Sequence, residues 1–201
     1  MNYFVTAIDT DSGKTFVSAI LCEALNADYW KPIQAGLPRD ADAVKSLSPK
    51  TIIHPEAFLL NTPASPHASA KADGVKIGLN DFKLPQTAHS IIIEGAGGCL
   101  VPINDHEFVI DLISALHAEA ILVADLYLGS INHTLLTIEA LNKRQLTIKG
   151  IIFNGDSNPE SERIILLHSK LTCLLRIKKE KEVNKDTVKK YAQQLKESWH
   201  G

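Results

Sequence analysis

The chain has 201 residues, of which 45% are apolar and 22% charged, with a formal net charge of −2. That length supports one substantial core and is short for two. The near-balanced charge excludes a general attraction to nucleic acid or to an anionic membrane surface, so the expected partners are small metabolites.

Asn2 to Ala7 reads as a buried strand, with no basic segment and long apolar run ahead of it; neither a signal peptide nor a membrane span is expected. Ala7-Ile8-Asp9-Thr10-Asp11-Ser12-Gly13-Lys14-Thr15 then joins this strand to a helical pattern over Lys14 to Leu25, where Phe16, Val17, Ala19, Ile20 and Ala24 recur at helical spacing. A tight turn between strand and helix aims backbone N–H groups and a helix N-terminus at phosphate oxygens. In such a loop Lys14 reaches the terminal phosphates and the Thr15 hydroxyl ligates Mg2+. The pattern G-x-x-x-x-G-K-[ST] is incomplete, with Ile8 at the first glycine and Ala7 before it. The phosphate reading therefore rests on strand, turn and helix following in order.

Asp28 to Pro32 predicts a second short strand, and proline and glycine in Lys31-Pro32-Ile33-Gln34-Ala35-Gly36 predict a loop after it. Asp40-Ala41-Asp42 leads into a helix over Ala41 to Leu47, followed by a connection through His54-Pro55. Asn61 to His67, with two prolines, reads as a loop before a short helix over Ala68 to Ala72. Ser90-Ile91-Ile92-Ile93-Glu94 is an unbroken apolar strand that delivers a carboxylate to its end, just ahead of Gly95-Ala96-Gly97-Gly98. Such a carboxylate must be paired, solvated or on a metal. Ala120 to Ala124 and Ile148 to Phe153 are further strands, and Gly129-Ser130 opens a helix to about Arg144. Continuous apolar strands alternating with helices predict an α/β fold with a mostly parallel sheet covered by helices on both faces. Ligands bind such sheets at the carboxyl ends of the strands, where Lys14, Lys31, Glu94, Gly129 and Asn154 would gather.

A core over 1–175 is expected, with a lysine-rich segment over 176–201 whose Val188, Tyr191 and Leu195 predict a surface helix. The whole reads as a single domain over 1–201. Cys22, Cys99 and Cys173 are odd in number and widely spaced in apolar surroundings, which favours reduced thiols and a cytoplasmic protein. His67 and His133 show no close metal-ligand spacing and read as structural hydrogen-bonders.

Four stretches in order, Thr6 to Thr15, Lys31 to Gly36, Glu94 to Gly98 with Val101-Pro102, and Leu128-Gly129-Ser130-Ile131-Asn132-His133, resemble dethiobiotin synthetase, a family of the P-loop NTPase superfamily. Thr62 to His67 is a fainter fifth match. The resemblance implies a Mg2+- and ATP-dependent ligase of biotin synthesis. Its substrates would be 7,8-diaminononanoate, CO2 or bicarbonate, and ATP. A carbamate is phosphorylated to a carbamic-phosphoric mixed anhydride, which the neighbouring amine closes to dethiobiotin with release of ADP and phosphate.

By that resemblance Lys31, Lys14 and Thr10 are catalytic, and Thr15, Asp42 and Glu94 hold Mg2+. Asp11, Ser12, Gly13, Lys14, Thr15, Phe16, Asp42, Glu94, Gly95, Ala96, Gly97 and Asn154 bind ATP, with Asn154 at the adenine. Thr10, Lys31 and Ala35 meet the diamine or carbamate, while Gly129, Ser130, Ile131 and Asn132 anchor its carboxylate from a second subunit, which implies a homodimer. Three places depart from the pattern, the first being Ala7 in place of the usual first glycine of the loop. Ala35 stands where a serine or threonine donates to the substrate, and Thr172 to Lys179 replaces a proline and glycine segment that meets the nucleotide, which bears on base selectivity. A partitioning-type switch ATPase is the rival reading, disfavoured by Asp9 where that class carries an extra lysine; a homologue that binds nucleotide without turnover is a third. A small GTPase would need a lysine after Asn154, where this chain has Gly155.

Overall fold

A computed structural model describes residues 1–199. In chain order the elements are β1 (Asn2–Ala7), α1 (Lys14–Leu25), β2 (Asp28–Trp30), β3 (Ile33–Ala35), α2 (Asp40–Leu47), β4 (Ile53–His54), β5 (Phe58–Leu60), α3 (Pro66–Ala72), β6 (Ile91–Gly98), α4 (Asp111–Ala115), β7 (Glu119–Asp125), α5 (Ser130–Lys143), β8 (Ile148–Asn154), α6 (Pro159–Ser169), β9 (Cys173–Ile177) and α7 (Lys185–Ser198). Seven strands form a parallel sheet in the order β4-β2-β6-β1-β7-β8-β9. β1 lies at its centre, pairing with β6 on one side and β7 on the other.

The apolar character of β1 follows from this position, because a central parallel strand is covered on both faces. Tyr3, Val5 and Ala7 alternate onto the face packed by α1 and α7, and Phe4 points into the opposite cluster with Ile93, Val109 and Ile113. The sheet thus has helices on both faces, as expected. Crossing order between β6, β1 and β7 places a crevice at the carboxyl ends of these strands, and the loops after β1, β2 and β6 converge there. At the other end of the sheet, buried Asp28 opens β2 and accepts from Thr87, His54 and His89 at 2.7, 2.9 and 2.9 Å, tying β4 and the approach to β6 together. Burial opposes the Asp28 charge, but these hydrogen bonds outweigh it and hold the carboxyl below its usual pKa.

The expected loop over Lys31 to Gly36 contains a strand instead. Ile33–Ala35 pairs in parallel with Phe58–Leu60 as a separate two-stranded sheet, and Gly36 N–H donates to the Leu60 carbonyl at 2.8 Å. Pro32 and Gly36 only bracket the strand, and its partner lies too far along the chain for a local pattern to reveal. β6 likewise runs through to Gly98, beyond the expected end at Glu94. Its glycines allow close packing there: a Cβ on Gly95 would come within 2.8 Å of the Phe4 ring. β4 at Ile53–His54 stands where a plain connection was expected.

Three further elements, α4, α6 and β9, were not expected at all. α6 starts at an Asn158 cap whose side chain accepts from Ser161 N–H, with Pro159 in its first turn. β9 pairs with β8 at the sheet edge and spans the expected boundary between residues 175 and 176. α7 buries Val188, Tyr191, Ala192 and Leu195 against α1, with the Phe16 and Tyr191 rings edge-on at 6.1 Å. It lies at the surface and completes the core of that face. Among the described residues no helix is long and apolar enough to cross a membrane, and all three cysteines are free.

Candidate active site

The turn from β1 into α1 builds the first wall. β1 is locked between its neighbours up to Ala7, and Ile8 N–H still donates to the Val123 carbonyl, so the chain leaves the sheet at Asp9. Gly13 precedes α1 with φ of +90°, a left-handed conformation that a side chain rarely adopts. Ile8 stands at the start of the turn without hindering it, because only Gly13 carries the unusual backbone. Lys14 folds back over the loop, donating to the carbonyls of Asp9 and Thr10 at 3.1 and 2.9 Å.

The second wall comes from β2 and β6. Lys31 is 5% exposed and lies 2.5 Å from Asp40 Oδ2 and 3.1 Å from Glu94 Oε1, with the Gly95 carbonyl at 3.4 Å. Burial opposes its charge, but Glu94 and Asp40 together outweigh burial and raise the Lys31 pKa above the ordinary lysine value. Glu94 also accepts from the Thr15 hydroxyl at 3.0 Å, which joins the end of β6 to the start of α1. Thr10, Asp11, Gly13, Lys14, Thr15, Lys31, Asp40, Glu94 and Gly97 line one cleft of about 270 Å³. For Lys14, burial and then repulsion by Lys31 lower the pKa to about 8 against the pull of nearby carboxylates.

Asp42 is not brought to this cluster, and the expectation that placed it there is corrected. Its side chain is 69% exposed and faces Arg39 at 3.9 Å, itself held by a two-point ion pair with Glu56. Asp40 occupies the place assigned to Asp42. Successive helix residues turn by about 100°, so positions two apart point about 200° apart and cannot serve one site. Gln34 fixes the orientation of α2, accepting from Asp40 N–H at 3.1 Å and donating to the Gly36 carbonyl at 3.1 Å. The acidic triplet was visible in the sequence; which of its two carboxylates faces Lys31 was not.

Two larger clefts flank this centre. One, of about 440 Å³, is lined by Thr10, Lys31, Gln34, Ala35, Asp40, Ala96 and Gly97 with the apolar Ile33, Pro63, Ala64, Pro66 and Val101. Ala35 does face the cleft where a donor was expected. The other, of about 510 Å³, runs from Asp11, Gly13 and Phe16 to Asn154 and Asp156, and is closed by Lys178, Lys179 and Glu180. Asn154 ends β8 and donates its side-chain amide to the Ser12 carbonyl at 2.9 Å. It therefore braces the phosphate loop, and a Cβ on Gly13 would collide with that amide.

The segment over Gly129 to Asn132 lines neither the Lys31 cleft nor the Asn154 cleft of its own chain. Gly129 adopts φ of +107°, and no side chain caps the N-terminus of α5. Leu128 before it is fully exposed. His133 and His67 bond to Tyr127 and Ser65, the structural roles expected of them.

A family model described as an AAA domain, a P-loop family, matches residues 1–187. The chain is 54% identical to the ATP-dependent dethiobiotin synthetase BioD of Cytophaga hutchinsonii, over 98% of both chains. It is 47% identical to the protein of the same name from Christiangramia forsetii, over 97% of this chain and 96% of that one. Among solved structures it resembles a putative plasmid partition protein of Borrelia burgdorferi at TM-score 0.60 and 12% identity, covering 98% and 96% of the two chains. The septum site-determining protein MinD of Pyrococcus horikoshii superposes at TM-score 0.56 and 16% identity, covering 98% and 94%. At such identities the likeness to partition and septum proteins extends to the fold alone, whereas relatives near half identity over nearly full length share more. The chain belongs to the ATP-dependent dethiobiotin synthetase family of P-loop proteins.

Proposed function

We propose that this chain closes the cyclic urea of dethiobiotin from 7,8-diaminononanoate, CO2 and ATP, releasing ADP and phosphate. The observation that carries this reading is the placement of Lys31 between the phosphate loop and a half-apolar cleft of about 440 Å³, a shape suited to an aliphatic diamine. A polyanionic nucleotide and an anionic carbamate repel each other, and buried cations at their junction offset that repulsion where charge moves. Lys14 faces the nucleotide side, Lys31 the carbamate, and Thr10 stands between. Ala96 and Gly97 line the cleft beside Lys31, and the Gly95 carbonyl lies 3.4 Å from the Lys31 ammonium.

The donor set fits Mg2+, which prefers hard oxygens and few protein ligands. The Thr15 hydroxyl and the Glu94 carboxylate lie 3.0 Å apart, and Asp11 and Asp40 are the other carboxylates of the same cleft. When bound, the ion would neutralise phosphate charge during transfer. The cleft of Phe16 and Asn154 takes the nucleoside. Gly129, Ser130, Ile131 and Asn132 would hold the substrate carboxylate at the N-terminus of α5, where the Ser130 N–H already donates to the Tyr127 carbonyl at 3.0 Å. Since they line no cleft beside Lys31 in their own chain, the reading requires a homodimer that offers them to a partner. Residues 1–201 would act as one domain, in the cytoplasm.

The test is an assay with ATP, diamine and bicarbonate, with mass detection of the cyclic urea. ADP release that proceeds equally well without the diamine would instead support the switch-ATPase reading. For the dimer, a monomeric mass under saturating substrates is the damaging result.

Two expectations follow from the site's geometry. With its pKa at about 8, Lys14 in the free protein is half deprotonated at that pH and loses the rest of its charge above it, while phosphate oxygens favour the cation. ATP affinity is expected to be flat below pH 8 and to weaken by up to about tenfold per unit above it, with uptake of up to one proton on binding. Calorimetry in two buffers of different ionisation enthalpy measures this uptake, and its absence at pH 9 would refute the charge linkage. The same shift makes the free protein gain stability from pH 8 toward 10.5, because the unfolded chain there binds the proton that the folded one releases.

For Asn154→Ala, affinity for inorganic triphosphate is expected to fall about fivefold, the worth of one net hydrogen bond, because the amide braces the Ser12 carbonyl. Unchanged triphosphate affinity with weakened ATP binding would confine Asn154 to the base.

A further inference from the structure

Tyr29 sits inside β2, with its ring 0% exposed among the side chains of α1 and the sheet, yet its hydroxyl reaches the reacting end of the molecule. That hydroxyl donates to Oε2 of Glu94 at 2.9 Å, while Oε1 of the same carboxylate accepts from Thr15 at 3.0 Å and from Lys31 at 3.1 Å. Glu94 is 1% exposed, so water cannot take the place of a missing donor. A phenylalanine would fill the same volume; only the hydroxyl of Tyr29 goes unexplained by packing.

A carboxylate turns readily about its terminal bond, and its two oxygens are equivalent until a neighbour distinguishes them. We propose that Tyr29 is a positioning residue: by reserving Oε2 it turns Oε1 toward the Thr15 hydroxyl and the Lys31 ammonium, and so sets the carboxylate plane in which Glu94 meets the Mg2+ nucleotide. The aromatic stem suits the task, since a ring held by packing delivers its hydroxyl with few torsions to order. The inference rests on the reading of Glu94 as a metal-binding carboxylate, and partners that orient metal-binding groups commonly change metal affinity by about 10- to 100-fold when removed.

The experiment uses the full chain with ADP and Mn2+, following free Mn2+ by electron paramagnetic resonance. Tyr29→Phe is expected to bind Mn2+ in the presence of ADP about tenfold more weakly, and to need about tenfold more Mg2+ for half-maximal turnover. Its binding of metal-free ADP should be unchanged. Unaltered Mn2+ affinity with only a lowered thermal midpoint would make Tyr29 a core residue and overturn the proposal. Glu94→Gln separates the two levels of the argument. If that variant retains Mn2+ affinity, the metal reading of Glu94 fails and Tyr29 falls with it; if it loses affinity while Tyr29→Phe does not, only the Tyr29 proposal fails. Should Tyr29→Phe not fold, 4-aminophenylalanine at position 29 keeps a donor in place and is expected to hold Mn2+ affinity within about threefold, and a larger loss would count against positioning.

Discussion

Replacing Lys31 by alanine is expected to reduce formation of the cyclic urea by about 10³-fold or more, the range seen when a cation that stabilises phosphoryl transfer is removed. The structural reason is specific to its surroundings. Lys31 is the cation shared by Asp40 and Glu94, and without it two carboxylates face the incoming phosphates and carbamate. Removing one partner of a buried ion pair costs up to about 3–5 kcal/mol of stability. Two features soften that cost here: Asp40, with a side chain 32% exposed, can turn to water, and Glu94 retains its bonds to Thr15 and Tyr29. The variant should therefore fold with a lowered thermal midpoint and still bind ATP. Lys31→Arg preserves the charge but spreads it over a planar fork, and partial activity is expected. Single-turnover measurements with mass detection decide the matter, and a Lys31→Ala rate within tenfold of the parent would remove Lys31 from the chemistry.

The second large effect separates two neighbouring carboxylates. Asp40→Ala should raise the Mg2+ requirement and cut turnover by about 100-fold, the upper range for loss of a group that holds or orients a metal. Asp42→Ala should stay within about twofold, as is usual for an exposed surface side chain. The difference comes from their places on α2: Asp40 touches Lys31 and lines its cleft, while Asp42 faces Arg39 and solvent. Steady-state rates across a Mg2+ titration for both variants provide the comparison. Equal losses at the two positions, or a loss at Asp42 alone, would restore the assignment drawn from the sequence motif.

Most of the sheet was legible in the chain because its strands are buried on both faces. Tyr3 to Val5, Ile91 to Ile93, Ala120 to Ala124 and Ile151 to Phe153 are uninterrupted apolar runs, buried throughout, that no exposed segment would tolerate. The edges were less legible. β9 is interrupted by Arg176, exposed and paired to Glu162, and so lacks the continuous run of a central strand. β3 is three residues long and owes its existence to β5, 25 positions later in register (Ile33 with Phe58).

The sequence by itself determined the α/β class, the phosphate loop with its Gly13, and the order of the motifs that identify the family, since these depend on local backbone geometry and on spacing along the chain. Only the tertiary structure decided which acidic residue of α2 faces Lys31, that Asn154, expected at the adenine, braces the phosphate loop, and that Tyr29 reaches Glu94 from within the core. Each of these depends on where a side chain points once distant strands are in register, and Tyr29 and Glu94, 65 positions apart, meet only because β2 pairs with β6.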